Sequence, residues 1–525
     1  MYRSHALLIL IIAALMQPAA SQDWGKYGPI TGGAECMGDS CSVEVVYRHG
    51  AYDGPLTLKY GVDGAYSDSV SVTPSLEDDY VAHFTLTGLF ADTVYDYRIL
   101  ADGLPVSGPH TFMTFPEPDQ ERSFRFVVFA DGMPGRLVPG YADAINNDHG
   151  FAGEGVDIPP FMLQIGDLTH ADPASHKKNK VTISDFRRMY HETLARRPPG
   201  KAFAQNIAPN MHFFHTWDDH DYLYNDADGN DPQKLLAKKA FLEYIPTVDI
   251  TPSRMEGPRA GIWQKFRYAQ AEFYLLDTRY NRGVRRYFGL EKKMVKRLSR
   301  YTEIDRELLV SPSMLGNEQF FWLLDSIKSS DAKWKFIITS SLWNREGTKT
   351  ADSWNDFPEE RDLLEDILSD ILKDHKQSGL TDGERIILIS GDIHSGGAVD
   401  LALDNGNAFP EISVPHMNAG GGQPSTTGRR AGRWLLKEPG EWYFFNPGRI
   451  LHSDQDPPPG EEPGRLLPQG NSGYAIIEVH TGDEDWVNVK LVNIPFLKDP
   501  MVGERWLEPR IVFQTPILLD EGGPS

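Results

Sequence analysis

The run Phe213-Phe214-His215-Thr216-Trp217-Asp218-Asp219-His220-Asp221 begins as an aromatic strand and ends in a knot of acids around a histidine. An unpaired carboxylate at the edge of a core costs several kcal/mol, and a bound metal ion is the usual compensation. The same ending recurs at Asp131, which follows Phe124-Arg125-Phe126-Val127-Val128-Phe129-Ala130, at Gly166-Asp167-Leu168-Thr169-His170 and at Gly391-Asp392-Ile393-His394. A single Asp after a strand is more often a helix cap than a ligand. Repetition of the pattern, with histidine at short spacing, predicts one metal site assembled from distant parts of the chain.

The surrounding pattern predicts the frame. Near-continuous apolar runs such as 124–130 belong to strands covered on both faces. Helical periodicity at 183–195, 232–244, 317–329 and 358–374 alternates with strands at 272–276, 335–339 and 385–390. That alternation predicts an α/β domain over about 119–515. In such sheets ligands bind beyond the carboxyl ends of the strands, where Asp131, Asp167, Asp219 and Asp392 fall. Carboxylates bridge cations, and imidazole completes a shell for zinc, iron or manganese. Two cations roughly 3.5–4 Å apart hold a phosphoryl group and make water a nucleophile near neutral pH.

Residues 22–118 read differently. Short alternating runs at 42–47 and 81–86 have strand period, separated by turns such as Asp63-Gly64. The stretch 86–98 resembles the tyrosine corner of immunoglobulin-like sandwiches, and a fibronectin/immunoglobulin-like β-sandwich with a packing or shielding role is expected. Residues 1–21 read as a secretory signal, with Arg3, an apolar run from Ala6 to Met16, and Ala19-Ala20-Ser21 before a cut near Gln22. The expectation is an exported protein, periplasmic or extracellular, without a membrane span. Residues 516–525 form a tail. Cys36 and Cys41 are spaced for a small disulfide loop in an oxidising compartment, or remain two free thiols. The net charge of -22 over 525 residues argues against a nucleic-acid partner and requires local cations for any phosphate chemistry.

Several blocks resemble the PhoD-like alkaline phosphatases within the calcineurin-like metallophosphatase superfamily. They are Trp217-Asp218-Asp219-His220-Asp221, Leu276-Asp277-Thr278-Arg279, Leu315-Gly316-Asn317-Glu318-Gln319, Asp352-Ser353-Trp354-Asn355-Asp356-Phe357-Pro358 with Arg361, and Ser390-Gly391-Asp392-Ile393-His394. The resemblance implies a layered α/β/β/α catalytic domain holding two divalent or trivalent metal ions (Fe, Zn, Mn or Ca). It implies metal ligation by Asp131, Asp167, Asp219, Asp392 and His394, with Asp167 bridging. His220 becomes the catalytic group that binds a phosphate oxygen and protonates the leaving alcohol, with Asp218 and Asp221 as supports. Arg345 and Arg361 are candidates for phosphate binding.

Three departures mark a variant subgroup. Asp131-Gly132 stands where the family commonly has Ser-Cys, His170 replaces the usual tyrosine and joins the candidate ligands, and Ser340-Ser341-Leu342-Trp343-Asn344-Arg345 lacks the usual histidine. Losing thiolate and phenolate donors leaves the metal identity open. The function implied is an exported metal-dependent phosphoric ester hydrolase acting on a small phosphate ester, first of all a phosphomonoester. The alternatives are a phosphodiesterase or phospholipase D-like activity, or a secreted non-catalytic binding protein. The oligomeric state is left open.

Overall fold

The computed structural model describes residues 25–132, 159–169, 181–196, 207–248, 261–283, 313–343, 352–381, 383–392, 396–399, 409–416, 442–445, 472–494, 496–499, 503–506 and 510–519. The chain opens with seven strands: β1 (Lys26–Met37), β2 (Ser40–His49), β3 (Leu56–Gly61), β4 (Asp68–Val72), β5 (Val81–Phe90), β6 (Val94–Ala101) and β7 (Leu104–Met113). They form a three-stranded sheet in the order β1-β2-β5 and a four-stranded sheet in the order β4-β3-β6-β7. Both are antiparallel. Inward residues such as Val43, Val45, Phe84, Leu58, Tyr97 and Ile99 are buried in one apolar cluster, as alternation at period two requires. At the turn into β6, the Phe90 amide donates to the Tyr95 hydroxyl at 3.0 Å. Cys36 and Cys41 are joined by a disulfide.

Two larger sheets follow. In the first, β8 (Phe124–Phe129), β9 (Phe161–Ile165) and β10 (His212–Thr216) run parallel. Later come β11 (Gln264–Tyr268), β12 (Ala271–Leu275), β13 (Trp334–Thr339), β14 (Arg385–Ser390), β15 (Gly396–Val399), β16 (Glu411–Ser413) and β17 (Trp442–Phe445), which make up the second sheet. Its strands β12, β13, β14 and β16 are parallel. The chain then returns to the first sheet with β18 (Ser472–His480), β19 (Trp486–Ile494) and, after the ribbon β20 (Phe496–Asp499) and β21 (Gly503–Trp506), β22 (Arg510–Leu518). The result is a mixed α/β architecture.

Buried aromatic residues explain why the two large sheets face each other. Phe126, Phe161 and Phe214 from the first meet Phe266, Phe273 and Phe336 from the second in one cluster. Phe161 lies at its centre, with ring centroids 5.3 Å from Phe126, 5.2 Å from Phe266, 5.1 Å from Phe273 and 5.8 Å from Phe115. The opposite face of the first sheet packs on α1 (Ile183–His191) and on α3 (Lys234–Tyr244), which follows the four-residue α2 (Asp219–Tyr222). That of the second packs on α4 (Gly316–Lys328) and α5 (Pro358–Ser378). In α5, Pro358 starts the first turn and Gly379, at φ 70°, ends the helix, placing each residue where its backbone preference helps. Among the described residues, no helix is long and apolar enough to cross a membrane.

The N-terminal sheets grip the segment that leads into β10. The Thr31 amide donates to the Ala208 carbonyl at 2.9 Å, the Tyr97 hydroxyl to the Pro209 carbonyl at 2.8 Å, and the Thr111 amide to Asn210 Oδ1 at 2.9 Å. His212 Nε2 lies 2.8 Å from the Met113 carbonyl. Every contact lies within five residues before Phe213, so the N-terminal sheets fix the approach of the strand that leads into the acid block. Phe161→Ala empties the centre of the shared core and is expected to destabilise the protein by about 3–5 kcal/mol. A urea unfolding midpoint close to the wild type would show that the rings there are not the shared core.

Candidate active site

Four strand ends carry the acids. Asp131 follows β8 by two residues, Asp167 follows β9 by two, Asp219 starts α2 after β10, and Asp392 follows β14 by two. Asp131, Asp167 and Asp392 have φ of 51°, 52° and 69°. Such left-handed backbone is unusual for a side chain-bearing residue and gathers at functional sites. Two glycines permit the convergence. At Gly166 (φ 99°), a Cβ would stand 2.7 Å from the Cβ of Asp218. At Gly391, one would stand 3.1 Å from the Ile165 carbonyl oxygen and 3.2 Å from the Ala130 Cβ, so the end of β14 lies directly against the ends of β8 and β9.

The acid block after β10 divides by role. Asp221 accepts the Leu168 amide at 3.1 Å, the Thr169 amide at 2.9 Å and the Asp218 amide at 3.3 Å, pinning the turn that bears Asp167. Asp218 caps α2 in a reciprocal capping box with Asp221. It also receives the Arg279 guanidinium and, at 2.9 Å, the Ser340 hydroxyl. Trp217 is buried, and its indole N–H donates to Asp277 Oδ1 at 2.8 Å. Asp219 Oδ2 accepts the Asp226 amide at 2.6 Å. The His220 amide donates to Asp167 Oδ1 at 3.3 Å, and His220 Nε2 lies 3.9 Å from Asp219 Oδ1. His220 thus sits across Asp167 and Asp219 with its ring 16% exposed, whereas both carboxylates are buried.

Burial first, and then the charges of Asp218, Asp219 and Asp221, push the Asp131 carboxyl well above the usual carboxylate range. Asp167 is raised by burial and by Asp219, Asp218 and Asp131. Asp392 is raised by burial and by Asp218, Asp352 and Asp219, while Arg279 works against the shift. Asp218 is pushed up to about 6, mainly by burial, with Arg279 opposing. Asp219 Oδ1 is buried with no hydrogen bond among the described residues. One ligand atom each from Asp167, Asp219 and His220 lie within 4.8 Å of one another, as do atoms of Asp219, Asp226 and Asp352. Among the described residues, these oxygen-rich donors with one imidazole, crowded and short of positive charge, fit hard or borderline cations.

His170, Arg345 and His394 lie outside the described residues, so the structure does not place them. Arg361 is 3% exposed, with Nη1 2.7 Å from Asn355 Oδ1 and 3.3 Å from the Trp343 carbonyl. His215 is buried beneath the block, with Nδ1 3.0 Å from the Gln164 carbonyl. His416 bridges to Ala130, the neighbour of Asp131, in parallel register. Other participants emerge only in three dimensions. Asp352 pairs with Arg279 at 2.8 Å and Arg282 at 2.7 Å, while Asp226 closes on Asp219. Glu411 accepts the Ser390 hydroxyl at 2.6 Å and the Trp343 amide at 2.8 Å, tying the end of β14 to the residues after β13. The motif around 352 was visible in the sequence, but nothing there brought it, or Asp226, to Asp219.

A carboxyl with a raised native pKa binds more protons folded than unfolded. Its contribution favours folding below the ordinary range and is lost as pH rises through the native value. For Asp218 that loss spans from 3.8 to about 6, and for Asp131, Asp167 and Asp392 it extends to higher pH. A cation that neutralises these groups should therefore stabilise more as pH rises. Chelator-stripped protein is expected to gain more melting temperature from Mn2+ at about pH 8 than at about pH 5. An equal gain at both would place the cation elsewhere.

A family model described as PhoD-like phosphatase matches residues 162–449, more than half of the 525. Alkaline phosphatase D of Bacillus subtilis (strain 168) is 26% identical over 257 residues, which is 44% of this chain and 40% of that protein. The matched part thus spans less than half the length of that curated relative. A solved structure described as "Structure of PhoD" superposes with a TM-score of 0.64 at 16% identity, over 96% of this chain and 92% of that one, which is a likeness of fold. With the acid-tipped strands, the W-D-D-H-D block and a family match across most of the catalytic sheets, the chain belongs to the PhoD-like phosphatase family.

Proposed function

We propose that this protein is an exported, metal-dependent phosphoric ester hydrolase acting first of all on small phosphomonoesters. The observation that carries the reading is the gathering of Asp131, Asp167, Asp219 and Asp392 at the ends of strands from two sheets, each of Asp131, Asp167 and Asp392 raised in pKa by burial and by the other acids. In this reading those four acids, with His170 and His394, would hold two cations drawn from Fe, Zn, Mn and Ca, with Asp167 as the ligand they share. Bound there, the cations would polarise the phosphoryl group and lower the pKa of a water.

The chain's own groups do the rest. Asp221 fixes the Asp167 turn, and Asp218 and Arg279 fix the start of α2, so that His220 is delivered to the open side of the acids. His220 donates a hydrogen bond to a phosphoryl oxygen and passes its proton to the departing alcohol oxygen, a step suited to imidazole near neutrality. Arg345 binds the phosphate. For Arg361, engaged by Asn355 and by the Trp343 carbonyl, the better role is to brace the residues that lead to Arg345. We further read residues 1–21 as a signal peptide, 22–118 as a fibronectin-type sandwich, 119–515 as a four-layered metallophosphatase domain and 516–525 as a tail. The clusters on the outer faces of the large sheets support the layers.

His220→Ala is expected to keep its metal content and lose about 100- to 10,000-fold in kcat on p-nitrophenyl phosphate. Asp167→Ala should lose metal and activity together. Elemental analysis beside kinetics checks both. Wild-type turnover in Asp167→Ala would remove the proposed shared ligand, and faster hydrolysis of bis-p-nitrophenyl phosphate than of the monoester would reverse the substrate preference.

A further inference from the structure

The Leu276-Asp277-Thr278-Arg279 block touches no substrate in the reaction as drawn, yet its Arg279 is fully buried. Its backbone is fixed by Asp277, whose Oδ1 accepts the Arg279 amide at 3.0 Å. Gln319 clamps Asp277 in turn through the Asp277 amide and carbonyl, each at 2.7 Å. The Arg279 side chain then spreads over three acceptors. Nε donates to Asp218 Oδ1, and Nη1 reaches the Ala227 carbonyl at 3.4 Å and Asp352 Oδ2 at 2.8 Å. Asp218 and Ala227 are the two ends of the turn that holds Asp219. Inside it, the Asp226 amide takes Asp219 Oδ2 and leaves buried Oδ1 without a hydrogen bond. Nη2 stays 4.0 Å from Asp219 Oδ2, close enough to attract and too far to bond.

We propose that Arg279 is a positioning residue that staples the ends of the 218–227 turn and so presents Asp219 Oδ1 to a cation. The inference rests on the metal-dependent hydrolase reading above and deepens it by naming the group outside the ligand set that sets the ligand's aim. A planar guanidinium with several N–H groups satisfies acceptors in different directions at once, which a single ammonium cannot do. Partners that orient a ligand commonly change metal affinity by about 10- to 100-fold when removed.

The test is calorimetric titration of Mn2+ into chelator-stripped full-length protein, with kinetics on p-nitrophenyl phosphate. Arg279→Lys is expected to bind Mn2+ at least about 10-fold more weakly. Its KM should be unchanged and most of its kcat regained at saturating Mn2+, a recovery that a misfolded site would not show. Arg282→Lys, which alters the other arginine on Asp352 but touches neither Asp218 nor Ala227, should bind within about 3-fold of wild type. Wild-type Mn2+ affinity in Arg279→Lys, no kcat recovery, or equal loss in both variants would overturn the staple. Wild-type protein that binds no Mn2+ and hydrolyses nothing would overturn the hydrolase reading instead. If circular dichroism shows Arg279→Lys unfolded, Asp218→Asn takes its place. It keeps the cap but weakens the hold of Arg279, and undiminished Mn2+ affinity in it would equally overturn the proposal.

Discussion

Like charges brought together out of water repel at close range, and this molecule is arranged around a place where it does so deliberately. Asp131, Asp167, Asp218, Asp219 and Asp392 are all buried or nearly so within one another's field. Of the described cations, Arg279 opposes the shift at both Asp218 and Asp392. No packing of apolar side chains would tolerate such a cluster unless something else gained from it. Stability given up at one point for a poised, high-energy constellation is the usual mark of a site that binds a cation or does chemistry.

The scaffold holds this arrangement through direct hydrogen bonds rather than bulk packing. Asp221 grips three amides, Asp218 receives a guanidinium and a hydroxyl, and Asp277 joins Trp217, Arg279 and Gln319. Glu411 does the same for the second sheet. Asp221 and Asp277 have both carboxylate oxygens occupied by donors, whereas Asp219 keeps Oδ1 and Asp218 keeps Oδ2 without a hydrogen bond among the described residues. A satisfied carboxylate can be a strut, whereas one with an oxygen to spare can be a ligand. Two residues apart, Asp219 and Asp221 are the two kinds, alike in sequence and different in their surroundings.

That distinction marks how far the sequence could be read. The four strand-end acids were legible because each closes an apolar run, and a run of that kind in an α/β chain must end at one edge of a sheet. The helices at 183–191, 316–328 and 358–378 were legible from periodicity and end residues. Asp226 and Asp352 were not, because both sit in turns whose destination depends on Arg279 and on backbone with φ of 60° and 77°. The place of His416 beside Ala130 depends on where a three-residue strand pairs, which no local pattern encodes. Nor did the N-terminal residues announce that they would hold the segment before β10.

The acids reach the site along different routes through the chain. Asp131, Asp167 and Asp219 belong to one sheet, and Asp392 enters from the other, far later in the sequence. During synthesis the first three acids emerge together, while the last strands of their own sheet, β18, β19 and β22, are still to be made. The first sheet is therefore incomplete until the chain is nearly finished. On the proposed reading, ion capture would belong to the last stage of folding, and the ion would also act as a seal on a chain that has finished folding.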